Sequence, residues 1–301
     1  MNAAEGLPVV VGYDASAHSA AAVDWASAYA AHRGAPLTVL FAREYPGYPA
    51  GAVGRAPAPP AGALVAEATK VAEEGADRAR SRAPGLEVTA SPVFDGAASA
   101  LVEAARSAQL VVVGDRVRHT LPGLLLGSVA RTVSTHAPCP VAVVREGSVV
   151  TPGPEMPVVV GVDDSEAAAR AVGFAADVAE RYEAPLVVLS AWHSPLRPPW
   201  AGGERARARA GHEETEHRTT EAVVAGLVDV VRRDHPRIRV ESSVREGHAA
   251  TVLAEASRAA GLVVVGSRGR GGFTGVLLGS TGHDLLHMAA CPVVVHREST
   301  G

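Results

Sequence analysis

The chain has 301 residues, 47% apolar and only 4% aromatic, with a formal net charge of −4. That length suggests about two domains with ample material for packed cores, and the mildly acidic balance argues against nucleic acid as a partner. No apolar run nears the roughly 20 residues of a membrane span, MNAAEGLP has no signal-peptide pattern, and two cysteines make no disulfide framework, so a cytoplasmic protein with no membrane attachment is expected.

In chain order, Pro8–Gly12 reads as a strand and Ala17–Arg33 as a helix, with Ser16 or Asp14 as its cap. Strand Leu37–Ala42, helix Ala63–Arg82, strand Leu86–Val93 and helix Ala97–Ser107 follow. Leu110–Gly114 is a fourth strand, Ser128–His136 a helix and Val141–Arg145 a fifth strand. The order then repeats from Pro157 to His296. VVVGYDAS (9–16) returns as VVVGVDDS (158–165), and APLTVLFA (35–42) as APLVVLSA (184–191), both 149 residues later. LVVVGDRV…LLLGS (110–128) returns as LVVVGSRG…VLLGS (262–280), 152 residues later. Four matches in one order, counting HAPCPVAVV (136–144) against 288–296, mark an internal duplication. We therefore expect two domains, 1–147 and 157–301, joined by a Gly- and Pro-bearing linker at about 148–156. Alternating strands and helices predict, in each copy, a parallel sheet covered on both faces. Stretches 43–61 and 193–210 are rich in Pro, Gly, Ala or Arg and read as loops.

The chemistry concentrates in 262–280, LVVVGSRGRGGFTGVLLGS. A buried strand runs into a basic, glycine-rich loop that ends at Gly279-Ser280 before a helix. A helix N-terminus offers unpaired N–H groups and partial positive charge, so this order suits a nucleotide phosphate. It is not a P-loop, because no lysine precedes Ser280, and not a G-x-G-x-x-G fingerprint, because Thr274 stands at the third position counted from Gly269. Arg268 and Arg270 point to an anionic ligand, and Ser280 can cap its helix and donate to a phosphate. In doubly wound sheets ligands sit beyond the carboxyl ends of the strands. Asp163 therefore shares a crevice with Gly266 if their strands are neighbours, unless it only caps the first helix of its copy.

Other candidates are weaker. HEETEH (212–217) spaces its histidines five apart, which rotates them roughly 140° from each other on a helix and reads as a charged face rather than a zinc site. Cys139 and Cys291 stand at equivalent places, each before a proline, and read as small core residues. No G-x-S-x-G elbow or nucleophile beside a base is present.

These residues resemble the universal stress protein family: GVDDS (161–165), Gly266-x2-Gly269-x9-Gly279-Ser280 and ACPVVV (290–295), with GYDAS (12–16), Gly114…Gly127-Ser128 and APCPVAVV (137–144) in the first copy. The resemblance spans both copies. It implies a tandem, Rossmann-like α/β/α sandwich in each copy, with five parallel strands in the order 3-2-1-4-5, and ATP in the crevice with Mg2+ or Mn2+. It also implies dimerisation through the last strand, here satisfied as a pseudo-dimer within one chain, and leaves a further homodimer open. Gly161, Asp163, Gly12 and Asp14 would lie by the ribose, and the backbone at Ala191 and Ala42 by the adenine edge. Gly266, Ser267, Arg268, Gly269, Arg270, Gly271, Gly279, Ser280 and Thr281 would hold phosphates. Gly114, Gly127 and Ser128 are their counterparts, but Val117 stands where the first copy needs glycine and Asp115 adds a negative charge, so the second copy should bind more tightly. The leading function is a nucleotide-responsive stress module, and the alternative is a slow ATPase of the same fold.

Overall fold

The computed structural model describes residues 6–44, 61–115, 126–192, 204–269 and 278–297, with no side chain described at 61 or at 204–212. The chain divides into two compact units, with the break between Val149 and Val150.

The first unit runs β1 (Val9–Gly12), α1 (Ala17–Arg33), β2 (Leu37–Ala42), α2 (Ala61–Arg82), β3 (Val88–Val93), α3 (Ala97–Ala104), β4 (Leu110–Gly114), α4 (Ser128–His136) and β5 (Val141–Val144). The helix expected to reach Ser107 ends as α, its last three residues tightening into a 3-10 turn, Ala105–Ser107. The strands pair in parallel in the order β3-β2-β1-β4-β5. The second unit runs β6 (Val158–Gly161), α5 (Glu166–Arg181), β7 (Leu186–Trp192), α6 (Glu204–Asp234), β8 (Val240–Glu246), α7 (Ala249–Ala256), β9 (Leu262–Gly266), α8 (Ser280–Met288) and β10 (Val293–His296). Its parallel order, β8-β7-β6-β9-β10, is the same 3-2-1-4-5. Register repeats as well. Val9 faces Leu37 and Leu110, and Val158 faces Leu186 and Leu262.

The cause is local. Valine runs such as 9–11, 111–113, 158–160 and 263–265 are almost wholly buried, and β-branched residues buried on both faces suit a central parallel strand. Alanine-rich helices lie close on the sheet: α1 buries Ala22, Ala26 and Ala30 completely, and α1 and α2 both pack on strands of their own unit. Between α1 and α2 the Asp24 carboxylate accepts from Arg78 Nε at 2.7 Å and from Nη2 of Arg78 and of Arg82 at 2.8 Å. Burial alone would raise the Asp24 carboxyl, but these hydrogen bonds from Arg82 and Arg78 hold it below its usual range.

Ser16 and Ser165 cap α1 and α5, accepting from Ser19 and Ala168 N–H. Asp14 and Asp163 do not. Each instead accepts the N–H of the capping serine at 3.1 Å. Helix α1 ends at Gly34 with φ 66°, whereas the equivalent residue after α5 is Glu183, held at φ 51°. A side chain in the left-handed region costs on the order of 1–2 kcal/mol. Glu183→Gly is therefore expected to stabilise the second unit by about 1 kcal/mol in urea unfolding, after allowance for the freer unfolded chain.

Part of the stretch read as linker belongs to the second unit. Pro152 is buried, Gly153 and Met156 exchange backbone hydrogen bonds at 3.0 Å, and a Cβ on Gly261 would come within 2.5 Å of Pro152 Cα. Cys139 and Cys291 are 3% and 2% exposed, and burial pushes both thiols up to about 12. Thiol reagents at neutral pH are accordingly expected to label neither cysteine until the chain is unfolded, which mass spectrometry after native and denatured labelling would measure. Among the described residues, no helix is long and apolar enough to cross a membrane.

Candidate functional site

Strands β6, β7 and β9 end on one side of their sheet, and α8 begins there. A cleft of about 520 Å3 opens at that place, within the usual size range of small-molecule sites. Gly161, Asp163, Ala191, Gly266, Arg268, Gly269, Gly279, Ser280 and Thr281 line it together, although they are spread over some 120 residues of sequence. Ser267 does not line it. Ser267 is buried, and its carbonyl accepts Gly279 N–H at 2.9 Å, which ties the two ends of the glycine loop together. Arg270 and Gly271, like Val117 of the first unit, lie outside the described residues.

The cleft has one apolar side, from Leu189 on β7, Val265 on β9 and Ala249, Val252 and Leu253 on α7. The α7 residues went unnoticed in the sequence, although their spacing of three and four along one helix face was a usable signal. Gly161 is what lets α7 approach, since a Cβ there would stand 2.8 Å from Leu253 Cδ1. Gly12 meets Leu101 in the same way, at 3.1 Å.

The polar side is built differently from the sequence expectation. Ser280 is the first residue of α8 and does not cap it. The cap is Gly279 (φ −68°, ψ 157°), with no side-chain hydrogen bond to the helix. The early amides of α8 are thus spared a competing side-chain acceptor, at the end where the helix carries partial positive charge. Ser128 likewise starts α4 behind Gly127, which caps without a side-chain bond.

Asp163 accepts from Ser165 N–H at 3.1 Å and Ser165 Oγ at 2.5 Å through Oδ1. Its Oδ2 faces Gly269, where a Cβ would sit 2.5 Å away. Gly269 is not among the glycines with left-handed φ, so glycine is needed there for close approach to this carboxylate. Gly266 and Gly114 have a related duty toward protein: a Cβ on Gly266 would meet Ala167 of α5 at 3.0 Å, and one on Gly114 would meet His18 O of α1 at 2.6 Å.

In the first unit Gly12, Ala42 and Gly114 end β1, β2 and β4, and Asp14 is exposed beyond β1. Asp115 is engaged by protein side chains, His18 Nδ1 at 2.8 Å and Arg145 Nε at 3.7 Å. At the equivalent strand end in the second unit, His296 aligns with Gly266 and lies against Phe174, ring centres 5.5 Å apart. Burial, then the Arg170 charge, lowers the His296 pKa from 6.5 to about 4. Because the folded value is the lower one, the unfolded chain binds the extra proton as pH falls from 6.5 toward 4, and stability declines in that window. We expect His296→Leu to abolish about 2 kcal/mol of the stability difference between pH 7 and pH 5, read from urea midpoints.

Among the described residues, no group of three or more His, Cys, Asp or Glu could hold a metal. His217 of HEETEH packs edge-on against Trp192 at 5.4 Å and pairs with Glu221 at 3.6 Å.

Parallel strands in the order 3-2-1-4-5, repeated in both units, define a doubly wound, Rossmann-like α/β architecture, and comparison with known proteins gives it a family. The sequence profile described as "Universal stress protein family" matches residues 7–145 and 156–297. The chain belongs to the universal stress protein family, as a tandem two-domain member. It is 34% identical over 305 residues to universal stress protein Rv2623 of Mycobacterium tuberculosis, covering 97% of both chains. In fold it is similar to a universal stress protein from Archaeoglobus fulgidus, with a TM-score of 0.68, 18% identity and coverage of 96% of this chain and 98% of that one. Other members of the family have been solved in complex with cAMP and with dAMP.

Proposed function

We propose that the second unit binds ATP and that the protein works as a nucleotide-responsive stress module, with ATP held as a ligand rather than rapidly turned over. The observation that supports this best is the convergence on one cleft of an apolar wall, the Asp163 carboxylate and a glycine-capped helix N-terminus. The adenine takes the apolar side, with its edge toward the Ala191 backbone. Asp163 accepts from ribose hydroxyls, a task suited to a carboxylate already oriented by Ser165. Gly266, Arg268, Gly269, Gly279, Ser280 and Thr281 surround the phosphates, with Arg270 and Gly271 assigned to the same loop by resemblance. A divalent cation, Mg2+ or Mn2+, would arrive on the phosphates, since Mg2+ keeps several waters and leans on substrate oxygens. Asp163 and the Ser280 hydroxyl supply suitable hard oxygen donors. The first unit, with Asp14, Ala42, Gly114, Gly127 and Ser128 but Val117 and Asp115, binds more weakly. Two domains within 1–147 and 157–301, with 150–156 grouped with the second as described above, the pairing of the two halves in a pseudo-dimer and a cytoplasmic location belong to the same reading.

The test is mass spectrometry of nucleotide released from the purified, denatured protein, with its molar ratio. One ATP per chain is expected. Two per chain would refute the asymmetry, and ADP alone would favour a slow ATPase. No nucleotide, and no binding when ATP and magnesium are added, would sink the ATP reading.

A further inference from the structure

Helix α8 carries two histidines one turn apart, His283 and His287. Residues at i and i+4 of a helix share a face, and these two rings lie edge-on with their centres 4.8 Å apart. The buried side of α8 is made by Gly282, Leu285 and Leu286. Both histidines are left half-buried on its flank, within reach of solvent. Their separation has a chemical meaning. Imidazole nitrogen binds zinc at about 2.0–2.1 Å, and the ring centre lies roughly 1.1 Å behind that nitrogen. Two rings on one ion, at angles of about 90–110° to each other, therefore have centres about 4.5–5.2 Å apart. The same spacing supplies two of the ligands on a zinc-protease helix. Each imidazole also has a second nitrogen, which keeps a hydrogen-bond partner while the first holds an ion. The corresponding positions of α4 are Arg131 and Thr135, so the first unit has no such pair there.

We propose that His283 and His287 chelate one divalent transition-metal ion of the kind imidazole favours, zinc, nickel or copper rather than magnesium or calcium. With two protein ligands the site is open, and water or a donor from another molecule fills the remaining positions. The ion is held exchangeably, not as a permanent structural zinc. It is separate from any cation that arrives on nucleotide phosphates, which needs hard oxygen donors. His283 N–H donates to Gly279 O at 3.0 Å, so the first turn of α8 runs directly from the glycine cap to the first ligand. An ion bridging 283 and 287 pins the next turn to that one, and Gly279 to Gly282 line the cleft. The inference stands whether or not the cleft binds a nucleotide.

The experiment is calorimetric titration of the whole protein with ZnCl2, alone and in a large excess of MgCl2, after a chelator has removed metal and with nucleotide absent. It compares the wild type with His283→Gln, His287→Gln and His136→Gln, with melting curves as folding controls. His136 ends α4 of the first unit and stands for the scattered histidines. One Zn2+ per chain should bind the wild type and His136→Gln alike, undiminished by Mg2+. His283→Gln and His287→Gln should each weaken that binding at least about tenfold, because a chelate needs both rings. Zn2+ should also raise the melting temperature of the wild type, and do so far less in either of these two variants. Zn2+ binding that is unchanged in either variant, or that Mg2+ displaces, would overturn the proposal. If a variant does not fold, a Zn2+-soaked crystal of the wild type decides. An anomalous peak within about 2.2 Å of one nitrogen from each ring is expected there, and a peak on one ring or on neither is decisive against the site.

Discussion

Gly279→Val is expected to reduce ATP binding at least a hundredfold while lowering the melting temperature by only a few degrees. The structure separates the two effects. Among the described residues, a Cβ at 279 would meet nothing closer than 3.8 Å, from Arg268 Cα and Ser267 O, so these neighbours leave room for it. Its φ and ψ of −68° and 157° are open to any residue, and the fold loses only the preference of a helix cap for glycine over valine, about 1 kcal/mol. Gly279 nonetheless lines the cleft at the start of α8, and a branched side chain there occupies the space through which a phosphate reaches the helix amides. The matched control is Gly127→Val, at the corresponding cap of α4. It should carry a similar stability cost with little loss of binding. Calorimetry with ATP and a thermal melt on both variants is the measurement. Loss concentrated on the Gly127 variant would reverse the assignment of the two halves.

Gly269→Val is the second large effect, and it acts through Asp163. The new Cβ would be placed 2.5 Å from Asp163 Oδ2, far inside van der Waals contact, and the carboxylate is held from the other side by Ser165 N–H and Oγ. Either the loop lifts or the carboxylate turns away from its serine, and both move a group that faces the cleft. We expect at least a thirtyfold loss of ATP affinity, a larger loss than for Gly269→Ala, and little change in global stability, because Gly269 is exposed. Valine at this position is also what the first copy carries as Val117, so the variant reproduces in one unit the substitution that separates the two. Binding that survives Gly269→Val at wild-type strength would remove the steric reason for the asymmetry.

The sequence was most legible where one cause acts alone. The repeat, the parallel pairing of strands and most element limits follow from unbroken valine runs, alanine-rich helices and proline and glycine at their ends, whereas the strand order was implied only by the family resemblance. Helix α1, strands β2 and β4 and helix α4 fall at the predicted residues. The glycine loop and the acidic residue after the first strand of each copy were legible as motifs.

What the chain alone could not assign was the partner of each group. Spacing cannot tell a glycine that admits a ligand from one that admits a neighbouring helix, because both need only the absence of a Cβ. Gly161 and Gly266 turn out to face Leu253 and Ala167. Spacing also suggested that Ser280 caps its helix, whereas α8 starts one residue earlier than that role requires, and Gly279 takes it. The apolar wall from α7 stayed hidden because an amphipathic helix looks the same whether its buried side meets a core or a cleft. The sequence by itself determined the two copies, their sheets and the loop chemistry, since these depend on local periodicity and backbone freedom. The cleft, the Asp163–Gly269 contact and the company of Asp115 were decided only by the tertiary structure, because they depend on which strand ends meet across distant stretches of chain.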